Sequence, residues 1–294
     1  MHTATYYIDL LLSGITVGSL YALIAIGYTM VYGILRLINF AHGDIFMMSG
    51  FFMIYVSATL PMAVSIPVVL LMTVLLGVLI ERAAYKPLRS APRMSVMISA
   101  IGVSYLLQNL ATYITGGLAR PYPEISFLKK SFAIGSLNIK IITLLTPVLT
   151  ILLVIALVIF IKHTKTGMAM RAVSKDFDTA RLMGIKVNSV ITVTFIIGSF
   201  LAGVGSILYF TNYGQVSPTI GAMPGLKAFV AAVFGGIGSI PGAMLGGILL
   251  GLIEQLSKTY ISTLWADAIV FAVLVVVLVV KPTGLLGKPM QEKV

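Results

Sequence analysis

Asn39, His42 and Asp44 place an amide, an imidazole and a carboxylate in one short run, Asn39-Phe40-Ala41-His42-Gly43-Asp44, with apolar sequence on both sides. Such groups could form a proton relay, a metal pair, or a hydrogen-bonded hinge or gate, and they could also touch a solute directly. A metal site needs further ligands. The chain has only three histidines, and neither His2 nor His163 stands at a spacing that completes a site with His42. A relay needs more carboxylates at membrane depth, yet Glu81, Glu254 and Asp267 each stand near the end of an apolar segment. The first reading is therefore a hydrogen-bonded hinge or gate that includes Asn39, with direct solute contact second. Polar groups between apolar segments are retained in lipid only where they line protein or water.

The rest of the chain makes lipid the relevant solvent. Of 294 residues, 59% are hydrophobic and 10% charged, and the mean hydropathy is +1.05, which are polytopic membrane values. There is no cysteine, so disulfides, thiolate nucleophiles and Cys-ligated zinc are excluded. Residues 1–9 lack the basic start and small-residue cleavage site of a signal peptide, so the first apolar segment is expected to remain as a helix. The net charge of +11 is spread over short loops. That distribution fits a topological cause better than a nucleic-acid partner.

Nine apolar windows approach the length a bilayer requires, at about 10–35, 45–60, 63–81, 94–114, 140–161, 188–210, 225–239, 241–257 and 265–281. The window 45–60 and the two around Pro241 are short enough to be partial crossings. An all-α polytopic protein with about eight or nine transmembrane helices follows, as one permease-sized domain over 1–294. Arg82, Lys86, Arg89 and Arg93 in one loop, and six basic residues in the loop at about 162–187, put both loops on the cytoplasmic side. The amino terminus is then external, and the tail with Lys281, Lys288 and Lys293 cytoplasmic. The segment at about 115–139 becomes an external loop structured by Gly116, Gly117, Pro121, Pro123, Gly135 and Asn138, although Arg120, Lys129, Lys130 and Lys140 run against the charge rule.

A second break falls in Gly235-Gly236-Ile237-Gly238-Ser239-Ile240-Pro241-Gly242. Gly235, Gly236, Gly238, Pro241 and Gly242 would free backbone amides and carbonyls there, able to hold the two charged ends of a small zwitterion. Gly246, Gly247 and Gly251 read instead as close helix packing. A weak internal similarity relates 22–50 to 227–251, each an apolar segment, a glycine or polar break, and a second apolar segment. Interrupted segments at matching places in two halves mark the solute path of many transporters. Lys227 opens its window and either snorkels to the surface or neutralises a substrate carboxylate.

The loop from Thr166 to Ile185 is the second chemical signal. Met168, Ala172, Leu182, Met183 and Ile185 are apolar among charged neighbours, and Gly184 is a helix stop. One or two short amphipathic helices outside the membrane are expected, with apolar positions packed into a partner or under the bilayer surface. No Gly-x-x-x-x-Gly-Lys-[Ser/Thr] occurs, and Gly287-Lys288 is followed by Pro289, so ATP must be bound by another chain if it is used. Neither a Gly-x-Ser-x-Gly elbow nor a His-Glu-x-x-His helix is present, which leaves a membrane enzyme without a catalytic pair.

The stretch Tyr21 to Ile34, followed by Ile38-Asn39-Phe40-Ala41-His42-Gly43-Asp44, resembles the signature of the LivH-type permease of bacterial branched-chain amino-acid ABC importers. Residues 81–89, 98–102, 227–245 and 282–287 resemble the same family, and the block from Gly235 to Met244 is the most specific. Where this chain has Asp44 the family commonly has Glu, which keeps the charge and shortens its reach. The resemblance implies a non-enzymatic transport subunit in the bacterial cytoplasmic (inner) membrane, without a cofactor of its own. Its implied partners are a LivM-type permease, two cytoplasmic ATPase subunits, and a periplasmic or lipid-tethered binding protein for leucine, isoleucine or valine. By the same resemblance the loop carrying Arg171, Ala172, Asp176, Asp178, Ala180, Arg181 and Gly184 is the ATPase coupling loop. Relatives carry urea, amides or other amino acids on similar frameworks, and an ATP-independent carrier or channel is the remaining alternative.

Overall fold

The computed structural model describes residues 2–89, 91–134 and 137–287. Gly135, Lys288, Pro289 and Lys293, and the side chain of Asn138, lie outside the described set. The fold is helical, as the apolar windows require. α1 (His2–Leu35), α3 (Met62–Ile80), α4 (Arg93–Thr115), α6 (Ile141–His163), α9 (Val187–Tyr213) and α11 (Ile240–Tyr260) are long and apolar enough to cross a membrane. α2 (His42–Ser57), α10 (Ala222–Gly235) and α12 (Ala266–Val280) are shorter. So the partial crossings are 45–60 and 225–239, as expected, but 241–257 belongs to a full-length helix. The window 265–281 yields only 15 helical residues.

α1 is the axis. Its 34 residues span about 51 Å at 1.5 Å per residue, and Leu20 to Ile26 are buried on every face. Small residues make that burial possible. Gly14, Gly18 and Ala22, four apart, lie against Gly247, Ile248, Gly251 and Leu252 of α11, and a Cβ on Gly18 would stand 2.6 Å from the Ile248 Cα. Helices approach this closely only where side chains are absent from the contact.

α1 packs on α9, α10 and α11, while α9 packs on α1, α2 and α3. The triplets α1–α2–α3 and α9–α10–α11 thus exchange partners, and they run in opposite directions. The end of α1 (Gly33, Ile34) shares a cavity with Arg171 and Gly238, and its start (Asp9, Ser13) shares another with Lys140 and Asn212 of the α9 end. Each triplet has a link before its short helix, 36–41 before α2 and 214–221 before α10, and a turn after it, 58–61 and 236–239.

Two faces result. One, the basic face, gathers Arg89 and Arg181 around a single cavity. There α3 continues through a π-helical turn, Glu81–Tyr85, and α6 leads into α7 (Lys165–Lys175) and α8 (Phe177–Leu182). The opposite face carries β1 (Arg120–Pro121) paired with β4 (Gln215–Val216), the short α5 (Ser126–Lys129), and the hairpin of β2 (Ser131–Ile134) and β3 (Leu137–Lys140). Lys281 ends α12 on the basic face, where Gly284 and Gly287 press against Gly236.

Candidate functional site

α2 and α10 both begin inside the helix bundle, and their first turns meet. The Gly43 position leaves no room for a side chain: a Cβ there would lie 2.6 Å from the Gly221 carbonyl oxygen and 3.0 Å from the Gly225 Cα. Neither helix start has a side-chain cap, the N-cap residues being Ala41 and Gly221. The His42 and Asp44 amides bond back to the Asn39 and Ala41 carbonyls and the Ala222 amide to Thr219, so what meets at the junction is the positive ends of two helix dipoles, with amides largely satisfied by the chain itself. Tyr28 of α1 closes the junction. Its hydroxyl faces the Gly43 N–H, and its ring stands edge-on to His42 at 4.8 Å and to Phe229 at 6.0 Å.

Beside the junction lies a cavity of about 340 Å³, lined by Tyr28, Asp44, Ser104, Gln108, Leu226 and Phe229 among others. Asp44, in the first turn of α2, accepts hydrogen bonds from the Ser104 hydroxyl and, at 3.0 Å, from the Gln108 amide. The cavity thus offers a carboxylate, the positive ends of two helix dipoles and apolar walls. An ammonium, a carboxylate and an aliphatic chain could each find a complementary surface there.

The sequence-selected residues separate. Asn39 accepts from the Tyr85 hydroxyl at 2.8 Å and its amide nitrogen has no partner. His42 turns its ring to the Ile24 carbonyl, while Nε2, without a partner, lies against Gly27. The side chains of Asn39, His42 and Asp44 do not bond to one another; the one link among the three is the His42 amide donating to the Asn39 carbonyl at 3.0 Å. In place of the expected shared hinge stand three anchors: Asn39, ahead of the helix, to the π-helical turn, and His42 and Asp44, two places apart in one helical turn and so about 200° apart, to α1 and α4.

The second break is elsewhere. Gly235 and Gly242 abut, Gly236 (φ +110°) presses on Gly287, and Leu285 and Leu286 donate backbone hydrogen bonds of 2.9 Å to Phe234 and Gly235. Ser239 caps α11 by accepting from the Gly242 amide at 3.2 Å, with Pro241 in the first turn. The amides and carbonyls expected to be free are largely used by the chain itself. Only Gly238 (φ +91°) faces open space, in a cavity of about 140 Å³ beside Arg171.

Lys227 neither snorkels nor faces the cavity. It is 7% exposed and pairs with Glu254 at 2.9 Å and Asp267 at 2.6 Å. Glu254 also binds Lys258 at 2.6 Å and accepts from the Tyr21 hydroxyl at 2.8 Å. A buried cation with two carboxylates already around it has no charge left for a solute.

In the loop, Thr164 caps α7 by accepting from Gly167, and Asp176 caps α8 by accepting from Asp178 and Thr179. Gly184 (φ +80°) closes α8, with the Ile185 amide bonded back to Ala180. Met170, Val173 and Ala180 are buried against the bundle. Met168, Leu182 and Met183 are 61%, 87% and 78% exposed. Ala172 is half-buried on α7, Arg171 bonds the Lys162 carbonyl at 3.3 Å, and Arg181 pairs with Asp178 at 3.7 Å. Sequence reasoning missed Gly221, Gly225, Ser104 and Gln108. The turn residues Ser217-Pro218 and Pro224-Gly225 ahead of an apolar window were the available signal for the first two.

A family model described as "Branched-chain amino acid transport system / permease component" matches residues 10–278. The high-affinity branched-chain amino acid transport system permease protein LivH of Escherichia coli (strain K12) is 43% identical over 305 residues, covering 98% of each chain. The corresponding permease protein BraD of Pseudomonas aeruginosa is 41% identical over 303 residues, again covering 98% of each. The fructose import permease protein FruG of Bifidobacterium longum is 26% identical over 70% of this chain and 61% of its own. No solved structure matches the chain.

Proposed function

We propose, from the premise that the chain belongs to the branched-chain amino acid transport system permease family, that it forms half of the path by which an ABC importer carries leucine, isoleucine and valine. The observation that carries this reading is the meeting of two helix starts, neither with a side-chain cap, at Gly43 and Gly221 beside Asp44. The solute carboxylate rests in the positive field of the two helix starts, its ammonium at Asp44, and its branched side chain against Leu226 and Phe229. The basic face is cytoplasmic, in a bacterial inner membrane.

A second, LivM-type permease completes the cavity along α4. The exposed surface of α4 carries Gly102, Tyr105, Asn109 and Tyr113 beside the aliphatic Ile98, Leu106 and Leu110. Exposed positions on α3 and α6 are aliphatic, as at Leu71, Leu75 and Leu79, or Leu152, Ile155 and Ile159. Those faces suit lipid, whereas an amide and a glycine among tyrosines suit protein. Two ATPase subunits dock on α7 and α8 through Met168, Leu182 and Met183, and a periplasmic or lipid-tethered binding protein delivers solute to the hairpin face. Closure of the ATPases pushes α7, whose buried Met170 lies beside Gly33, Ile34 and Gly238, and so moves α1 against the α10–α11 turn.

The test is reconstitution of this chain with its partner permease, ATPases and binding protein in proteoliposomes. ATP-dependent leucine uptake, lost when either permease is omitted, is the expected result. Leucine uptake by this chain alone without ATP would overturn the reading.

A further inference from the structure

A second cavity, of about 290 Å³, lies on the basic face between α8 and the bundle, with a lining that shares no residue with the Asp44 site. Its walls are aliphatic and aromatic: Leu35 at the end of α1, Leu37 after it, Tyr85 of the π-helical turn, Val96 of α4, Phe177 of α8, and Val187 and Ile191 of α9. Two guanidinium groups, Arg89 and Arg181, and one carboxylate, Asp178, complete the lining.

The cations are not fully used. Arg89 binds Glu81 and Asn188 through its terminal nitrogens, yet its Nε is buried with no partner. Burial draws the Arg89 guanidinium below its usual range; Glu81 pulls the other way, and the neighbouring Arg181 adds to the lowering. Arg181 spends one contact on Asp178 at 3.7 Å and is 63% exposed, so its remaining donors are available. Two adjacent guanidiniums, one with an unpaired buried N–H, make a site for an anion. A carboxylate beside them and an aliphatic wall restrict that anion to a small apolar zwitterion.

We infer that this cavity binds the transported amino acid on the cytoplasmic side and thereby restrains α8, so that accumulated product slows further import. The inference rests on the proposed cargo. The carboxylate sits between Arg89 and Arg181, the ammonium at Asp178, and the branched side chain among Leu35, Leu37, Val96 and Ile191. Because Phe177, Asp178 and Arg181 belong to α8 and the other walls do not, an occupant ties the coupling element to the helix ends it must move against.

The experiment uses the complete reconstituted transporter, with ATP supplied on the face carrying α7 and α8 and with binding protein and labelled leucine on the other. Unlabelled leucine is added to the ATP face, and the initial transport rate is followed. Two variants are compared with the wild type: Val96→Phe, which fills the cavity, and Arg89→Lys, which keeps a cation for Glu81 but lacks Nε. Leucine on the ATP face should slow wild-type transport, and the half-inhibitory concentration should rise about tenfold or more in the variants. Inhibition that is absent, or equal in all three proteins, overturns the inference while leaving the cargo reading intact. Slowing that follows the anionic lipid content of the vesicles and not leucine also overturns it, since the anion is then a headgroup. Absence of any leucine transport defeats the cargo reading and this inference with it.

Discussion

Gly43 and Gly221 stand backbone to backbone: the Gly221 carbonyl oxygen occupies the place where a Cβ on Gly43 would come within 2.6 Å. Even one methyl must therefore displace one helix start from the other. Gly43→Ala and Gly221→Ala should each destabilise the fold by about 1–3 kcal/mol, the usual range for overpacking. Uptake should fall more than stability does, because the displaced helix starts line the cavity. Thermal unfolding beside transport assays separates the two effects, and unchanged uptake in both variants would contradict the placement.

Asp44 is the carboxylate of the cavity, held by Ser104 and Gln108. Asp44→Asn keeps the shape and removes the charge, so uptake should drop by about tenfold or more, equivalent to about 1.4 kcal/mol. Ser104→Ala leaves the charge and one hydrogen bond in place and should have a smaller effect. Parallel uptake measurements at matched expression decide the order.

Lys227 is enclosed by Glu254 and Asp267. Removing one member of a buried ion pair leaves the other uncompensated, at up to about 3–5 kcal/mol. Lys258 still faces Glu254 at 2.6 Å and should soften the loss. Lys227→Met is expected to lower the unfolding temperature of the solubilised complex, and Lys227→Met with Glu254→Gln to recover part of it. A double variant no better than the single one would show that the pair is not coupled.

Asp176 caps α8, and its replacement by Ala should cost about 1 kcal/mol of local helix stability. Asp176→Lys adds a reversed charge beside the exposed Leu182 and Met183. It is predicted to leave assembly of the permeases intact and to reduce uptake per ATP hydrolysed, read as a ratio of the two rates. Arg181→Glu should act in the same direction.

Much of this architecture was legible from residues 1–294, and the reasons differ by element. Long apolar windows fix helix existence because lipid demands it, and the stop at Gly184 is local chemistry that a sequence displays directly, whereas the caps at Thr164 and Asp176 came only from the structure. Lys227 was misread because its partners lie on α11 and α12, 27 and 40 positions away. The break at 235–242 was misread for a related reason: its free backbone groups are taken up by 284–287, a long-range closure that no local pattern announces. Asp44 was found by its chemistry alone, whereas Gly221, which completes its surroundings, lay in a turn with no charged residue to draw notice.

The central claim is that solute passes the junction of α2 and α10, and the absence of native cysteine makes it directly testable. Ala222→Cys places a thiol at an exposed position lining the cavity, and Leu71→Cys places one on the exposed aliphatic face of α3. In the assembled transporter a charged, water-soluble thiol reagent should modify Ala222→Cys and not Leu71→Cys, and leucine supplied with binding protein and ATP should slow that modification. An Ala222→Cys thiol that is inert to the reagent, or modified at a rate indifferent to leucine, would contradict the account.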